Sequence, residues 1–366
     1  MHRTVPLIAV LAMLLFSGSA QTSPSASPDS TQVATWKVLV GEQTKPPAGT
    51  PKGTTLNDFF PGALQVNAGD KVTFQSSGFH TVTYLGTVRD VLGFIPDPAK
   101  SQYEGINDGT GEPFYFNGLR KFIFDAAAFG PYGPKVISGK TKASSGVIAP
   151  GPNGKPVSAT FSFPKAGNYP ILCAIHPGMK MKVTVKAAGA AVPSAEEVAA
   201  TAKAETQKAW AKAKPLAATK VPANTVFAGV GAETTILGFF PKQLRVKAGT
   251  TVSFVIKSPS EPHNPAFGPK KYLEQFGKQN EFFPMGPKGK NQVSPAHAYG
   301  TEPAGGYKYD GQNHGNGFLV APLRGRGLFP GPVKNVSRIT FTAPGKFHYI
   351  CFLHGPDMSG DIVVTR

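Results

Sequence analysis

Two sixteen-residue stretches of this 366-residue chain nearly repeat one another: FFPGALQVNAGDKVTF from Phe59 to Phe74, and FFPKQLRVKAGTTVSF from Phe239 to Phe254. Phe, Phe, Pro, Leu, Val, Ala, Gly, Val and Phe recur at a constant offset of 180 residues. A second pair, FSFPKAGNYPILCAIH and ITFTAPGKFHYICFLH, aligns Gly167 with Gly345, Cys173 with Cys351 and His176 with His354, all offset by 178. Similarity in the same order at nearly the same spacing reads as an internal duplication, so each copy constrains the fold of the other. Within a copy the apolar residues alternate, as in Leu64 and Val66, Val72 and Phe74, then Leu244 and Val246, Val252 and Phe254. Period-two runs broken by Ala-Gly turns are the pattern of antiparallel strands buried on one face. The expected fold is all-β: two tandem Greek-key sandwiches, residues 34–187 and 221–366.

Between the copies the composition turns to Ala, Glu and Lys, and Ser194 with Glu197 three residues on forms a capping box. A helix from about Ala195 to Lys214, stopped by Pro215, is expected inside a linker spanning 188–220, tethered by Val198 and Trp210. A flexible Ala-rich linker is the alternative. Two long Gly-, Pro- and aromatic-rich insertions, 88–149 and 267–330, exceed what a sandwich needs and are expected to fold over an edge or a functional end.

The first 20 residues combine Arg3, an apolar run from Val5 to Phe16, and small residues at Gly18 and Ala20, the make-up of a cleaved secretory signal. The run is shorter than the roughly 20 residues that a membrane span needs, which opposes an anchor. Residues 21–33, rich in Ser, Pro and Thr, read as a disordered linker. The protein is therefore expected in the periplasm, the cell envelope or outside the cell, with no transmembrane segment in the mature chain. Its net charge of +17 favours partners with acidic surfaces. No recognition motif supports a nucleic-acid partner.

The two cysteines each sit in a matching context, CAIHPGMKM from Cys173 and CFLHGPDM from Cys351. A disulfide between them would join equivalent positions of two domains and leave the attached histidines unexplained. A thiolate, imidazoles and a thioether together suit a copper ion that alternates between Cu(I) and Cu(II). Each copy also offers a second histidine: His80 lies six residues after Phe74, and His263 nine residues after Phe254. The chain has eight histidines, one of them in the leader, so four at paired positions carry information.

With these residues in view, each half resembles a cupredoxin, the blue-copper domain of plastocyanin and amicyanin. The resemblance rests on FFPxxLxVxAGxxVxF, on the histidine of HTVTY or HNPAF, and on the Cys-x-x-His loop with its methionine, and it covers both copies outside the insertions. It implies a type 1 copper at one end of each sandwich, held by His80, Cys173, His176 and Met179 in the first copy and by His263, Cys351, His354 and Met358 in the second. Met179 is preferred over Met181 because counting back from Val183 and Ile362 aligns Met179 with Met358 and Met181 with Gly360. Asn264 resembles the family's loop-bracing asparagine, with Thr81 in its place in the first copy.

Oxidases and nitrite reductases built from such domains carry extra histidines beside the ligand cysteine or five residues past the first histidine. Here those places hold Leu172, Ala174, Ile350, Phe352, Leu85 and Gly268. Only His297, His314 and His348 remain for a further copper. The expectation is an exported electron-transfer protein, not an enzyme, with two type 1 coppers and redox partner proteins approaching the outer edges of His176 and His354. Copper storage or delivery in the envelope is the alternative, and a copper oxidase or nitrite reductase ranks below it.

Overall fold

The computed structural model describes residues 33–41, 45–86, 130–150, 153–279, 285–286, 290–291, 304–326 and 335–366. The expected leader 1–20, nearly all of the linker 21–33 and large parts of both insertions lie outside the described residues.

The first sandwich grows from the alternation seen in the sequence. In β1 (Thr35–Val40), β4 (Ala63–Asn67) and β5 (Lys71–Ser76) every second residue is buried, which turns Trp36, Val38, Val40, Leu64, Val66, Val72 and Phe74 into one core. β2 (Thr54–Leu56) leaves this sandwich and is taken up by the second. One sheet runs β3-β1-β5-β9, with β3 at Phe59–Phe60 and β9 at Val157–Ser162. β1 pairs parallel with β5, Val38 beside Phe74. The facing sheet runs β4-β11-β10-β6-β8-β7, using β6 (His80–Tyr84), β7 (Pro131–Tyr132), β8 (Ala143–Ile148), β10 (Gly167–Leu172) and β11 (Lys180–Lys186). Phe59, Phe74 and Phe161 meet edge to face between the layers. Each such fully buried side chain contributes about 1.5–3 kcal/mol.

The linker helix is present as α1 (Ala195–Ala211), and its capping box is complete: Glu197 N donates to Ser194 Oγ at 3.2 Å, and Ser194 N to Glu197 Oε2 at 2.7 Å. Val198 joins the first core, and Trp210 packs with Leu56, Phe60, Ala202 and Ala209. The helix ends three residues earlier than expected. Pro215 does not stop it but sits inside a second short helix, α2 (Ala213–Ala217), near its start, where the missing N–H breaks no helical bond.

The second sandwich repeats these pairings. In β12 (Thr225–Gly231) and β15 (Thr251–Ile256), Val226 stands beside Phe254 as Val38 does beside Phe74. In β14 (Gln243–Lys247) and β23 (Gly355–Thr365), Leu244 pairs with Ile362 as Leu64 does with Val183. The sheets run β14-β23-β22-β16-β20 and β19-β21-β15-β12-β13-β2, with β13 at Thr234–Phe240, β16 at Pro265–Phe267, β19 at Tyr307–Tyr309, β20 at Leu319–Val320, β21 at Val336–Phe341 and β22 at Gly345–Cys351. Helix α3 (Lys270–Gln279) and the short ladder of β17 (Met285–Gly286) with β18 (Lys290–Asn291) belong to the second insertion.

The insertions are not wholly loop. β8 and β20 pair antiparallel with β6, which begins at His80, and β16, which follows His263, and β19 extends the other sheet beside β21. They continue sheet edges because those edges would otherwise expose unpaired backbone. β2, from the first copy, adds to the second sandwich: Thr234, Thr235 and Ile236 pair with Leu56, Thr55 and Thr54. Leu237 N donates to Gly53 O at 2.8 Å, and Asn57 N to Glu233 O at 2.6 Å. Residues Val33–Arg366 form one compact unit.

One difference between the copies concerns stability. Asp70 is buried; its Oδ1 accepts from Ala34 N at 3.0 Å, and its Oδ2 accepts from Trp36 Nε1 at 2.7 Å and Asn67 N at 2.9 Å. The second copy has Thr250 there and keeps only the backbone bonds of the turn. Asp70→Ala strands three donors and is expected to cost about 3 kcal/mol or more. Urea unfolding measures this, and a loss below about 1 kcal/mol contradicts it.

Candidate metal centres

Both histidine and cysteine pairs come together at one end of their sandwich. His80 opens β6, Cys173 follows β10 directly, and His176 and Met179 lie on the turn leading into β11. His80 Nδ1 and His176 Nδ1 are 3.1 Å apart, and Cys173 Sγ is 3.4 Å from His176 Nδ1. In the second copy the corresponding nitrogens of His263 and His354 are also 3.1 Å apart, and Cys351 Sγ lies 3.4 Å from His354 Nδ1 and 3.7 Å from His263 Nδ1. Each trio presents one donor atom per residue within 4.8 Å of the others. Cys173 and Cys351 are free, buried thiols, so the disulfide alternative is not realised.

Met179 and Met358 are buried in the same apolar clusters as Cys173 and Cys351. Cys173 N donates to Met179 O at 3.0 Å and Met179 N to His176 O at 3.1 Å, which closes the first turn tightly. In CFLHGPDM the ladder shifts register: Ile350 pairs with Ser359, whereas Cys351 pairs with Gly355, which leaves Pro356, Asp357 and Met358 outside the pairing. Met181 is a buried β11 residue opposite Ile171. Its counterpart is Gly360 because Tyr349 fills that space; a Cβ there would overlap the phenol oxygen.

Around the sulfur, Thr81 N donates to Cys173 Sγ at 3.3 Å, and Ala174 N donates to Thr81 Oγ1 at 2.6 Å. Thr81 thus ties the cysteine end of the loop to β6. In the second copy Phe352 N donates to the Asn264 carbonyl at 3.2 Å, while Asn264 Nδ2 reaches Ala321 O at 3.4 Å. The same backbone is braced, but the side chain faces the strand from the insertion.

Two glycines that sequence reasoning passed over make room for the imidazoles. Gly41, just after β1, and Gly229, within β12, occupy equivalent positions by register, at φ +71 and +64, and a Cβ on either would overlap Nε2 of His80 or His263. The repeat of a glycine at that place in both copies was the available signal.

Glu261 was also missed. It is 6% exposed and lies between the two clusters. Its Oε1 is 3.3 Å from His176 Nε2 and its Oε2 is 3.4 Å from His354 Nε2. Asn57 Nδ2, from the first copy, donates to Oε1 at 2.7 Å. The outer edges of His176 and His354, expected to meet redox partners, therefore face each other across one carboxylate. The physical reason is the swapped strand β2, which brings the two sandwiches together at their histidine ends.

The electrostatics follow from burial and these contacts. Burial opposes ionisation of both thiols, yet the imidazoles beside them hold Cys173 and Cys351 well below the usual thiol range. Burial also opposes a charge on His176 and His354. Glu261 and the thiolates outweigh it, holding His176 well above the usual imidazole range and His354 at about 10. Desolvation pushes Glu261 up, but the two imidazoles hold it well below the usual carboxylate range. His263, deeply buried, is pushed down.

Of the remaining histidines, His348 Nδ1 bonds Asp361 at 3.0 Å on the neighbouring strand, and His314 lies in a tight turn beside Phe318. His297 lies outside the described residues. Among the described residues, no helix is long and apolar enough to cross a membrane.

No protein-family model matches the chain, and a search of curated proteins finds no match. Solved structures similar to parts of the chain include blue copper proteins and cupredoxins. Auracyanin A, a blue copper protein from Chloroflexus aurantiacus, is 21% identical, covers 38% of this chain and 96% of its own, and has a TM-score of 0.24. A purple cupredoxin from Nitrosopumilus maritimus is 15% identical over 39% of this chain and 100% of its own, at 0.22. A Cu(I) form of an amicyanin variant is 18% identical over 41% and 89%, at 0.20. The two-sandwich fold rests on the strand pairings described above.

Gly41→Ala is expected to displace the His80 ring and leave the second cluster unchanged, with about 1–2 kcal/mol lost from the left-handed backbone alone. Nitrogen-15 NMR of the imidazoles reads this directly. Unmoved His80 resonances contradict it.

Proposed function

We propose that the protein is an exported electron carrier with two mononuclear type 1 copper centres, one per sandwich. The observation that carries this reading is the pair of cysteine and imidazole trios, buried but for a partly exposed His354, each with a methionine in the same apolar cluster as its cysteine. The donor set fits copper: a soft thiolate and thioether suit Cu(I), imidazole suits Cu(II), and both cysteines sit where the thiolate form is favoured. His80, Cys173, His176 and Met179 would hold the first ion, and His263, Cys351, His354 and Met358 the second. When bound, copper supplies one-electron exchange between Cu(I) and Cu(II).

The chain's own residues supply a fixed and dry setting. Thr81, the Asn264 carbonyl and the tight turns hold the ligand atoms at one spacing, so little rearrangement opposes a change of charge. Apolar packing around Cys173 and Cys351 excludes water. The leader and basic surface support an extracytoplasmic carrier whose partners present acidic surfaces.

Copper content with optical and electron paramagnetic resonance spectra tests the reading. Two coppers per chain with intense thiolate-to-copper absorption are expected, and a colourless copper-loaded protein contradicts it. Cys173→Ser should remove one centre and leave the other. Loss of both means one shared site.

A further inference from the structure

The two proposed centres do not sit independently in the chain. The segment from Lys257 to Pro262 is where the second copy is longer than the first, since His263 follows its Phe-ending strand by nine residues and His80 by six. Counting back from the histidines sets Glu261 against Gly78, so the acid has no counterpart. The added segment is held rigidly: Ser260 Oγ donates to Ala232 O at 2.7 Å, Thr235, Ser258 and Ser260 form a buried hydroxyl cluster, and Pro262 packs against Gly325. Its acid is inserted between His176 and His354, and Asn57 from the other sandwich fixes one oxygen.

We infer that Glu261 is a positioning residue shared by both centres, a carboxylate bridge that orients the His176 and His354 imidazoles, tunes both sites together and connects them into one coupled pair. This inference rests on the copper reading above. In each trio the Nδ1 atoms face the cysteine and the other imidazole, which leaves Nε2 to carry the proton. The two Nε2 atoms then face opposite oxygens of one carboxylate at ion-pair distance, 3.3 and 3.4 Å. A fixed negative charge at the back of both imidazoles makes them more electron-rich and favours the more positive, oxidised state of each site. The row of groups in contact, His176, Glu261 and His354, is a short connection between the two thiolate sites. One electron given up by one site is taken up by the other, and no bond forms or breaks. With these imidazole edges turned inward, exchange with an outside protein runs over another face of each sandwich.

The test uses the full chain loaded with two equivalents of copper, alongside Cys173→Ser and Cys351→Ser as one-centre references. Glu261→Gln keeps the shape but removes the charge and one acceptor. It is expected to raise the potential of both centres and to weaken copper binding at both by about tenfold or more. Asn57→Ala, which frees the carboxylate without removing it, should shift both potentials in the same direction and by less, and it serves if Glu261→Gln does not fold. Potentials are read by spectroelectrochemistry and affinities by competition with a chelator. A shift at only one centre, or at neither, overturns the bridge. A wild-type chain without thiolate-to-copper absorption overturns the copper reading instead, which separates the two failures.

Discussion

A carboxylate that is 6% exposed is tolerated only when its lost hydration is replaced, because an unpaired buried charge costs several kcal/mol. Glu261 meets this condition through the Asn57 amide, which donates to it, and through two imidazoles at ion-pair distance, and each of these groups comes from a different part of the chain. Asn57 requires that β2 cross to the second sandwich. His176 requires the first cysteine loop, and His354 the second. The carboxylate therefore can be satisfied only in the arrangement that sets both histidine ends against each other. The exposed ion pair of Lys52 with Asp357 at 2.9 Å spans the same two halves but adds little, being fully in water.

This arrangement changes what a duplicated chain can do. Two copies of a one-electron site joined by a flexible linker would act as two carriers. Here the helix α1 is pinned to the first core by Val198 and to β2 and β3 by Trp210 and Glu205, whose Oε2 accepts from Gly62 N at 2.8 Å. The linker thus fixes the relative position of the halves, and the inserted residues of the second copy place a carboxylate between His176 and His354. The copies differ at residues that make this contact and brace the loops: Glu261 against Gly78, Asn57 against Leu237 and Asn264 against Thr81.

Much of this was legible before any coordinates. The alternation in FFPGALQVNAGDKVTF and its twin gave the strands, because a half-buried strand has period two. The offset of the cysteines gave the paired clusters, and the capping box gave the start of α1. The end of that helix was less legible, since Pro215 at the start of α2 looks in sequence like a stop. The strand Ala143–Ile148 was hidden in a Gly-rich insertion, where pairing with β6 overrides weak local propensity. Glu261 was overlooked because its role depends on contact between the two halves, and a repeat alignment shows only what the halves have in common. Its signal was the opposite one, an acid in a short segment where the second copy is three residues longer than the first.

The most direct test of a joined pair is the electron paramagnetic resonance spectrum of the fully oxidised, two-copper chain compared with each one-centre variant. The account predicts dipolar coupling between the two Cu(II) spins, seen as broadening or splitting that vanishes when either cysteine is replaced by serine. A two-copper spectrum equal to the simple sum of the two one-centre spectra would contradict it.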